Sequence, residues 1–104
     1  MTDEYNQWDI VLAGVVFEEK DEEKRRPVVI AEDNKYYILG FYTTKQRKGK
    51  SDEFSINYWA QAGLTYPTFI RLGKVLELDK SRIIHKLGRL HPKDIIRLEE
   101  VLNK

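Results

Sequence analysis

Residues 26–44 read Arg-Pro-Val-Val-Ile-Ala-Glu-Asp-Asn-Lys-Tyr-Tyr-Ile-Leu-Gly-Phe-Tyr-Thr-Thr, and this stretch predicts the centre of the fold. Two runs rich in β-branched and aromatic residues flank a polar turn, which is typical of an antiparallel β-hairpin. Pro27 fixes its φ and lacks an N–H, so we expect it at the first position of its strand. The hairpin then brings Arg26 and the pair Thr43-Thr44 to one edge, at the ends of two adjacent strands.

More strands are predicted on both sides of this hairpin. Residues 8–17 are dense in β-branched and aromatic side chains and predict a long first strand that bends at Gly14. The charged run 18–26 predicts a solvated loop, because its charge density is too high to bury. Residues 69–78 and 83–90 predict two further strands joined by a polar turn.

Two helical segments are also predicted. Ser55 or Asn57 is expected to cap a short helix that runs to Ala62, with Gly63 in the terminating position and Trp59 facing the core.

The C-terminal segment predicts a clearer helix, with Pro92 near its start and Asp94 in its first turn. Its predicted apolar face comprises Ile95, Leu98, Val101 and Leu102.

The length and composition indicate one small domain. The chain has 104 residues, 41% of them hydrophobic, which is enough for one core of ordinary size. We therefore predict a single domain over residues 1–104, mainly β with α (α+β): a small barrel or sheet of about five to seven strands with a packed C-terminal helix.

Arg26 and Thr43 are candidate catalytic residues, because a guanidinium beside hydroxyls can grip a phosphodiester and stabilise charge on it. Each has a simpler interpretation: Arg26 as a solvated charge, and Thr43 as a strand residue whose hydroxyl bonds neighbouring backbone. Arg71 lies between Ile70 and Leu72, so strand alternation points it to the opposite face from both. That face is either solvent or a groove beside Arg26.

Any basic site must be local, because 18 Lys and Arg against 17 Asp and Glu leave a formal charge of only +1. Contacts to nucleic-acid phosphates are expected from basic and hydroxyl side chains near the candidate pair, unless the charged loops only confer solubility. The expected contact residues are Lys24, Arg25, Thr44, Lys45, Arg47 and Lys48.

Familiar catalytic and metal-binding signatures are missing from the sequence. It has no cysteine, which excludes disulfides, zinc–thiolate sites and thiol nucleophiles. It has no Ser/His/Asp spacing, no HExxH and no phosphate-binding glycine loop. We therefore expect no metal and no cofactor, and a reaction whose nucleophile belongs to the substrate. No apolar run approaches the roughly 18 residues of a membrane span, so we expect a cytoplasmic protein with no membrane partner.

The order of these features resembles the PemK/MazF family of bacterial toxins over nearly the whole chain. The matching segments are Trp8-Asp9-Ile10-Val11, Arg26-Pro27-Val28-Val29-Ile30, Tyr42-Thr43-Thr44, Ile70-Arg71-Leu72, and the tail at 76–83 and 86–90. Members are small endoribonucleases, or mRNA interferases, of type II toxin–antitoxin modules. The resemblance implies an SH3-like small barrel, a homodimer with single-stranded RNA across its groove, and a cognate antitoxin that occupies that groove.

The resemblance also implies a reaction and roles for three residues. A ribose 2′-hydroxyl attacks the adjacent phosphodiester without a metal and leaves a cyclic phosphate or 3′-phosphate and a 5′-hydroxyl. Arg26 matches an arginine that stabilises the phosphorane, Thr43 a residue that bonds a phosphoryl oxygen, and Arg71 an arginine that some members use as an acid. Because the pKa of arginine exceeds about 12, charge stabilisation is the role we expect.

Departures from the family pattern leave one role unassigned. Some members carry an aspartate, proposed as the general base, where this chain has Gly73, and Trp8 replaces the usual glycine before Asp9. Two other functions therefore stay open: a catalytically impaired module that binds nucleic acid or protein, and a gyrase-targeting toxin on the related barrel.

Overall fold

Six antiparallel strands and a C-terminal helix make up the described chain. A computed structural model describes residues 5–17, 22–45, 49 and 52–103. The elements are β1 (Asp9–Phe17), β2 (Glu22–Asp33), β3 (Tyr37–Thr44), β4 (Glu53–Ser55), β5 (Phe69–Asp79), β6 (Ile83–Arg89) and α1 (Pro92–Leu102), with a 3₁₀ turn at Lys80–Arg82. The sheet order is β4-β5-β3-β2-β1-β6. The predicted class, mainly β with α and five to seven strands, is confirmed.

Apolar side chains pack on both faces of this sheet. Val28, Val29 and Ile30 are consecutive and fully buried, and they alternate between two clusters. Since neighbouring residues of a strand point to opposite faces, the two clusters lie on opposite sides of β2. The cluster that contains Val29 also includes Leu98 of α1, so the helix covers the face on which Val29 lies. The other cluster contains Val28 and Ile30.

The predicted start of β2 was wrong. The strand begins at Glu22, so residues 22–26 belong to a strand and not to the predicted loop, and Pro27 lies inside the strand. Residues 22–27 pair with β1, whereas the pairing with β3 begins only at Val28. A proline is tolerated there because one side of this stretch of β2 is an edge among the described residues.

The predicted helix before Gly63 is also wrong. Residues 57–63 form consecutive turns, in which the Ala62 N–H donates to the Tyr58 carbonyl and the Gly63 N–H to the Ala60 carbonyl. Two parts of the prediction are confirmed: Gly63 has a φ of +90°, and Trp59 packs against the core. The three-residue strand β4 was not predicted.

Helix α1 begins at Pro92 as predicted, and its preceding residue caps it. The Nδ1 atom of His91 accepts a hydrogen bond from the Lys93 N–H at 3.1 Å. The described residues include no helix long and apolar enough to span a bilayer.

The predicted apolar face of α1 holds only in part. Leu98 is fully buried and Ile95 is half-buried, but Val101 and Leu102 are each 42% exposed. The predicted face is therefore wrong in the last turn of the helix.

Candidate functional site

The β2–β3 register brings the two predicted site segments together. Val28 pairs with Tyr42, and one residue further the Thr43 hydroxyl donates a 2.7 Å hydrogen bond to the Pro27 carbonyl. Arg26 therefore lies within a residue of the Thr43-Thr44 pair across the two strands. The predicted convergence of these segments is confirmed, although Arg26 lies inside a strand and not at its start.

One face of the sheet carries both candidate arginines. Residues directly opposite in an antiparallel pair share a face, as do alternate residues of a strand. Arg26 thus shares a face with Val28, and Thr44 with Tyr42. Arg71 of β5 is directly opposite Tyr42 on the other side of β3, so it points to the same face.

Thr43 lies on the opposite face from these residues. It is opposite Ile70, which is fully buried in the cluster that also contains Leu98. Its hydroxyl proton is engaged by the Pro27 carbonyl, as in the simpler interpretation of a strand threonine. In this arrangement Thr43 joins β3 to the residue that follows Arg26.

The two arginines differ in how they are held. Arg26 is half-buried, and within the described part of the chain no hydrogen bond or ion pair reaches its guanidinium. The Arg71 side chain is only 13% exposed, and its Nε donates to the Oδ2 and Oδ1 atoms of Asp52 at 3.2 and 3.4 Å. Arg71 is therefore fixed in position, whereas Arg26 is available to an anion.

A bulge in β5 follows Arg71. Tyr42 pairs with Arg71, but the preceding Phe41 pairs with Val75, so residues 72–74 interrupt the register. Bulges of this kind bend a strand and re-aim its side chains, and they are frequent beside active sites.

Asp52 accepts hydrogen bonds from three consecutive residues at this bulge. Its backbone carbonyl accepts from the Leu72 N–H at 2.9 Å, and its Oδ2 accepts from the Gly73 N–H at 3.1 Å as well as from Arg71. Partial burial raises the pKa of the Asp52 carboxyl, but the hydrogen bonds from Arg71 and Gly73, together with the Arg71 charge, outweigh it. The pKa of Asp52 is consequently below its ordinary value.

The predicted phosphate-contact residues fall on different parts of the surface. Lys24 shares the face of Arg26 by alternation, whereas Arg25 points to the other face and lines an open depression with residues of the 3₁₀ turn and β6. Lys45 follows Thr44 and is exposed. Arg47 and Lys48 lie outside the residues that the structure describes.

Sequence reasoning missed two residues that contact predicted site residues. Asp52 bonds Arg71, and the ring of Tyr66 lies 4.6 Å from the Lys45 Nζ. Tyr66 is 55% exposed, so its ring is open to a stacking partner. For Tyr66 the sequence offered one signal, a tyrosine directly before Pro67. For Asp52 it offered none, because 19 residues separate Asp52 from Arg71.

Asp9 and His91 make structural contacts. Asp9 is fully buried and accepts from the Asn6 N–H at 2.8 Å and from Arg89 at 3.4 Å. His85 is exposed on β6, and His91 caps α1. Among the described residues, no three His, Asp or Glu side chains lie close enough together to hold a metal ion.

Comparisons with known proteins agree with this architecture. The family described as "PemK-like, MazF-like toxin of type II toxin-antitoxin system" matches residues 6–104. The fold is similar to that of the Mycobacterium tuberculosis toxin MazF-mt6, with a TM-score of 0.73 and 18% identity over 91% of this chain and 92% of that one. No curated protein sequence matches the chain.

Proposed function

The chain belongs to the PemK-like, MazF-like toxin family of type II toxin–antitoxin systems, and on that premise we propose that it is an endoribonuclease that cleaves single-stranded RNA without a metal. The observation that carries the proposal is the placement of Arg26 and Arg71 on one sheet face, with the guanidinium of Arg26 available to an anion. The chain acts through attack of a ribose 2′-hydroxyl on the neighbouring phosphodiester.

The spacing of the two arginines suits one phosphodiester. They lie on strands that flank β3 and are offset by two residues along them, so their backbones are roughly 12 Å apart, and the long side chains can reach a common oxygen cluster. A guanidinium offers a planar fork of N–H donors that matches phosphate oxygens. In the transition state the phosphoryl oxygens gain negative charge, which donors already in place stabilise more than they stabilise the ground state.

The two threonines support this site differently. Thr43 holds the Pro27 carbonyl and thereby fixes the strand that carries Arg26, and its side chain lies on the opposite face of the sheet. Thr44 lies on the face of Arg26, and a hydroxyl there is a donor of the kind that a phosphoryl oxygen accepts. We assign the catalytic role to Arg26 and Arg71, a positioning role through Arg26 to Thr43, and an RNA contact to Thr44.

Further RNA contacts and a protein partner are part of the same proposal. Lys24 and Lys45 contact flanking phosphates, and Tyr66 offers a stacking surface for an unpaired base. The assignments of Arg25, Arg47 and Lys48 to RNA contacts stay predictions. Membership of a type II toxin family implies an antitoxin partner, and we propose that the antitoxin covers the Arg26 face of a homodimer in the cytoplasm.

The test is cleavage of a single-stranded RNA in excess chelator by the purified protein and two variants. We expect Arg26→Ala to lower kcat by about 10²- to 10³-fold, the cost of removing one transition-state donor. Lys35→Ala is the matched control, since it removes an exposed cation from the opposite end of the β2–β3 hairpin. RNA bound but left intact by the wild-type protein contradicts the proposal and supports a non-catalytic binding module.

A further inference from the structure

Gly73 leaves a space that the Asp52 carboxylate occupies. A Cβ atom built on Gly73 would lie 2.9 Å from the Asp52 Oδ2 and 3.4 Å from its Cγ. The first distance is shorter than a real Cβ contact, so a side chain at 73 and the present Asp52 conformation exclude each other. The space beside Gly73, which has no side chain, is thus filled by the carboxylate of Asp52, 21 residues earlier in the chain.

We propose that Asp52 is the positioning residue of the candidate site, which holds the Arg71 guanidinium in place from the position that Gly73 leaves open. The proposal rests on the proposed nuclease function. Asp52 stands next to the active groups without touching RNA, and its effect on cleavage passes through Arg71.

The geometry of the ion pair is suited to this role. Asp52 contacts the Nε of Arg71, which carries one of the five N–H groups of a guanidinium, so the N–H groups of the two terminal nitrogens remain for a further acceptor. The same carboxylate also binds the Gly73 N–H, and the Asp52 backbone binds the Leu72 N–H. The bulge and the guanidinium are therefore fixed by one residue.

The chemistry of Asp52 favours positioning over proton transfer. A general base works best with a pKa near the operating pH. The hydrogen bonds from Arg71 and Gly73 hold the pKa of Asp52 below its ordinary value, so the group stays charged and is a weak base at neutral pH. Two charged residues are neighbours of Asp52. Arg71 forms an ion pair with it, and Glu53, the next residue in the chain, lies directly opposite Arg71 in the β4–β5 pair.

The first arm of the test moves the carboxylate. We expect Asp52→Ala to lower kcat by about 10²-fold with little change in KM, because a displaced guanidinium weakens the transition state more than it weakens binding. Gly73→Ala, which displaces the carboxylate, is expected to lower kcat as well. The double variant Asp52→Ala/Gly73→Asp returns a carboxylate to the same space, and we expect it to recover most of the lost rate.

The second arm separates positioning from proton transfer. Between pH 5 and pH 8 a residue that only orients Arg71 stays ionised, so the ratio of wild-type to Asp52→Ala rates is expected to be constant. A ratio that changes across this range identifies Asp52 as a proton-transfer group and overturns the proposal. Glu77→Ala, which removes an exposed carboxylate from β5, is the matched control.

The NMR signal of the Arg71 Nε–H gives a readout that does not depend on cleavage. We expect this signal to shift in Asp52→Ala and to return toward the wild-type position in the double variant. If the wild-type protein leaves RNA intact, the nuclease proposal fails, and this signal alone decides whether Asp52 holds Arg71. An unshifted signal, or an Asp52→Ala rate within about twofold of wild type, overturns the proposal.

Discussion

Trp8 combines an unfavourable backbone conformation with a favourably buried side chain. Its φ is +75°, in the left-handed region that glycine adopts without cost, and its side chain is only 4% exposed. Its N–H donates to the Ile30 carbonyl and its carbonyl accepts from the Leu90 N–H. The family resemblance places a glycine at this position, and the conformation supplies the physical reason: the backbone here needs a positive φ.

We predict that Trp8→Gly destabilises the protein despite relieving that strain. Left-handed conformation in a residue other than glycine costs about 1–3 kcal/mol, whereas truncating a buried aromatic costs about 3–5 kcal/mol. The difference is a net loss on the order of 2 kcal/mol in the free energy of unfolding, measurable by urea denaturation. A Trp8→Gly variant as stable as the wild type contradicts this account of the residue.

At the scale of elements, a buried carboxylate docks α1 onto the turns at 57–63. Asp94 is fully buried, and it accepts from the Asn57 N–H at 3.2 Å, the Tyr58 N–H at 2.9 Å and the Arg97 Nη1 at 2.7 Å. The ring of Tyr58 also stacks on His91, the cap of the same helix, at 4.2 Å between centroids. The helix is therefore fixed by polar contacts as well as by Leu98.

We predict that Asp94→Ala destabilises the protein by about 1–3 kcal/mol, because it leaves two backbone N–H groups without their acceptor. The Arg97 side chain is 40% exposed and keeps its bond to the Ser55 carbonyl. Thermal unfolding measures the effect. Glu100→Ala, on the exposed side of the same helix, is the control and is expected to change stability by less than about 0.5 kcal/mol. Equal melting temperatures for the two variants would show that Asp94 does not dock the helix.

How far the elements could be predicted depends on where their hydrogen bonds are made. The hairpin and α1 follow from local signals, namely the apolar runs around a polar turn and Pro92 at a helix start. The strand at 22–26 does not, because its charged residues are extended only through pairing with β1. Strand β4 is three residues long and exists through its pairing with β5, which a local pattern does not reveal.

The same distinction applies to the candidate site. Arg26, Thr43 and Arg71 could be selected from residue type and position, because the hairpin alone brings the first two together. The division of these residues between two sheet faces required the register, and the contact between Asp52 and Arg71 required the fold of the chain across β4 and β5. The sequence shows that position 73 is glycine and not an acidic residue, but it does not show that the Asp52 carboxylate lies beside Gly73.

At the scale of the whole molecule, the helix packs on one face of the sheet and the two candidate arginines lie on the other. One carries the cluster beneath α1, which includes Val29, Ile70 and Leu98. The other carries a second apolar cluster and, at its edge, Arg26 and Arg71. This separation lets a polyanion approach the arginines without displacing the helix, and we expect RNA binding there to weaken with added salt.

The most direct test of the central claim is an RNA in which the single ribose 5′ to the cleaved phosphodiester is replaced by deoxyribose. Cleavage of the all-ribose RNA in chelator, with a cyclic phosphate or 3′-phosphate and a 5′-hydroxyl, is the predicted result, and the deoxy substitution is predicted to abolish cleavage at that bond while leaving binding intact. Cleavage of the substituted RNA at the same bond would contradict the account, because the nucleophile would then have to come from elsewhere.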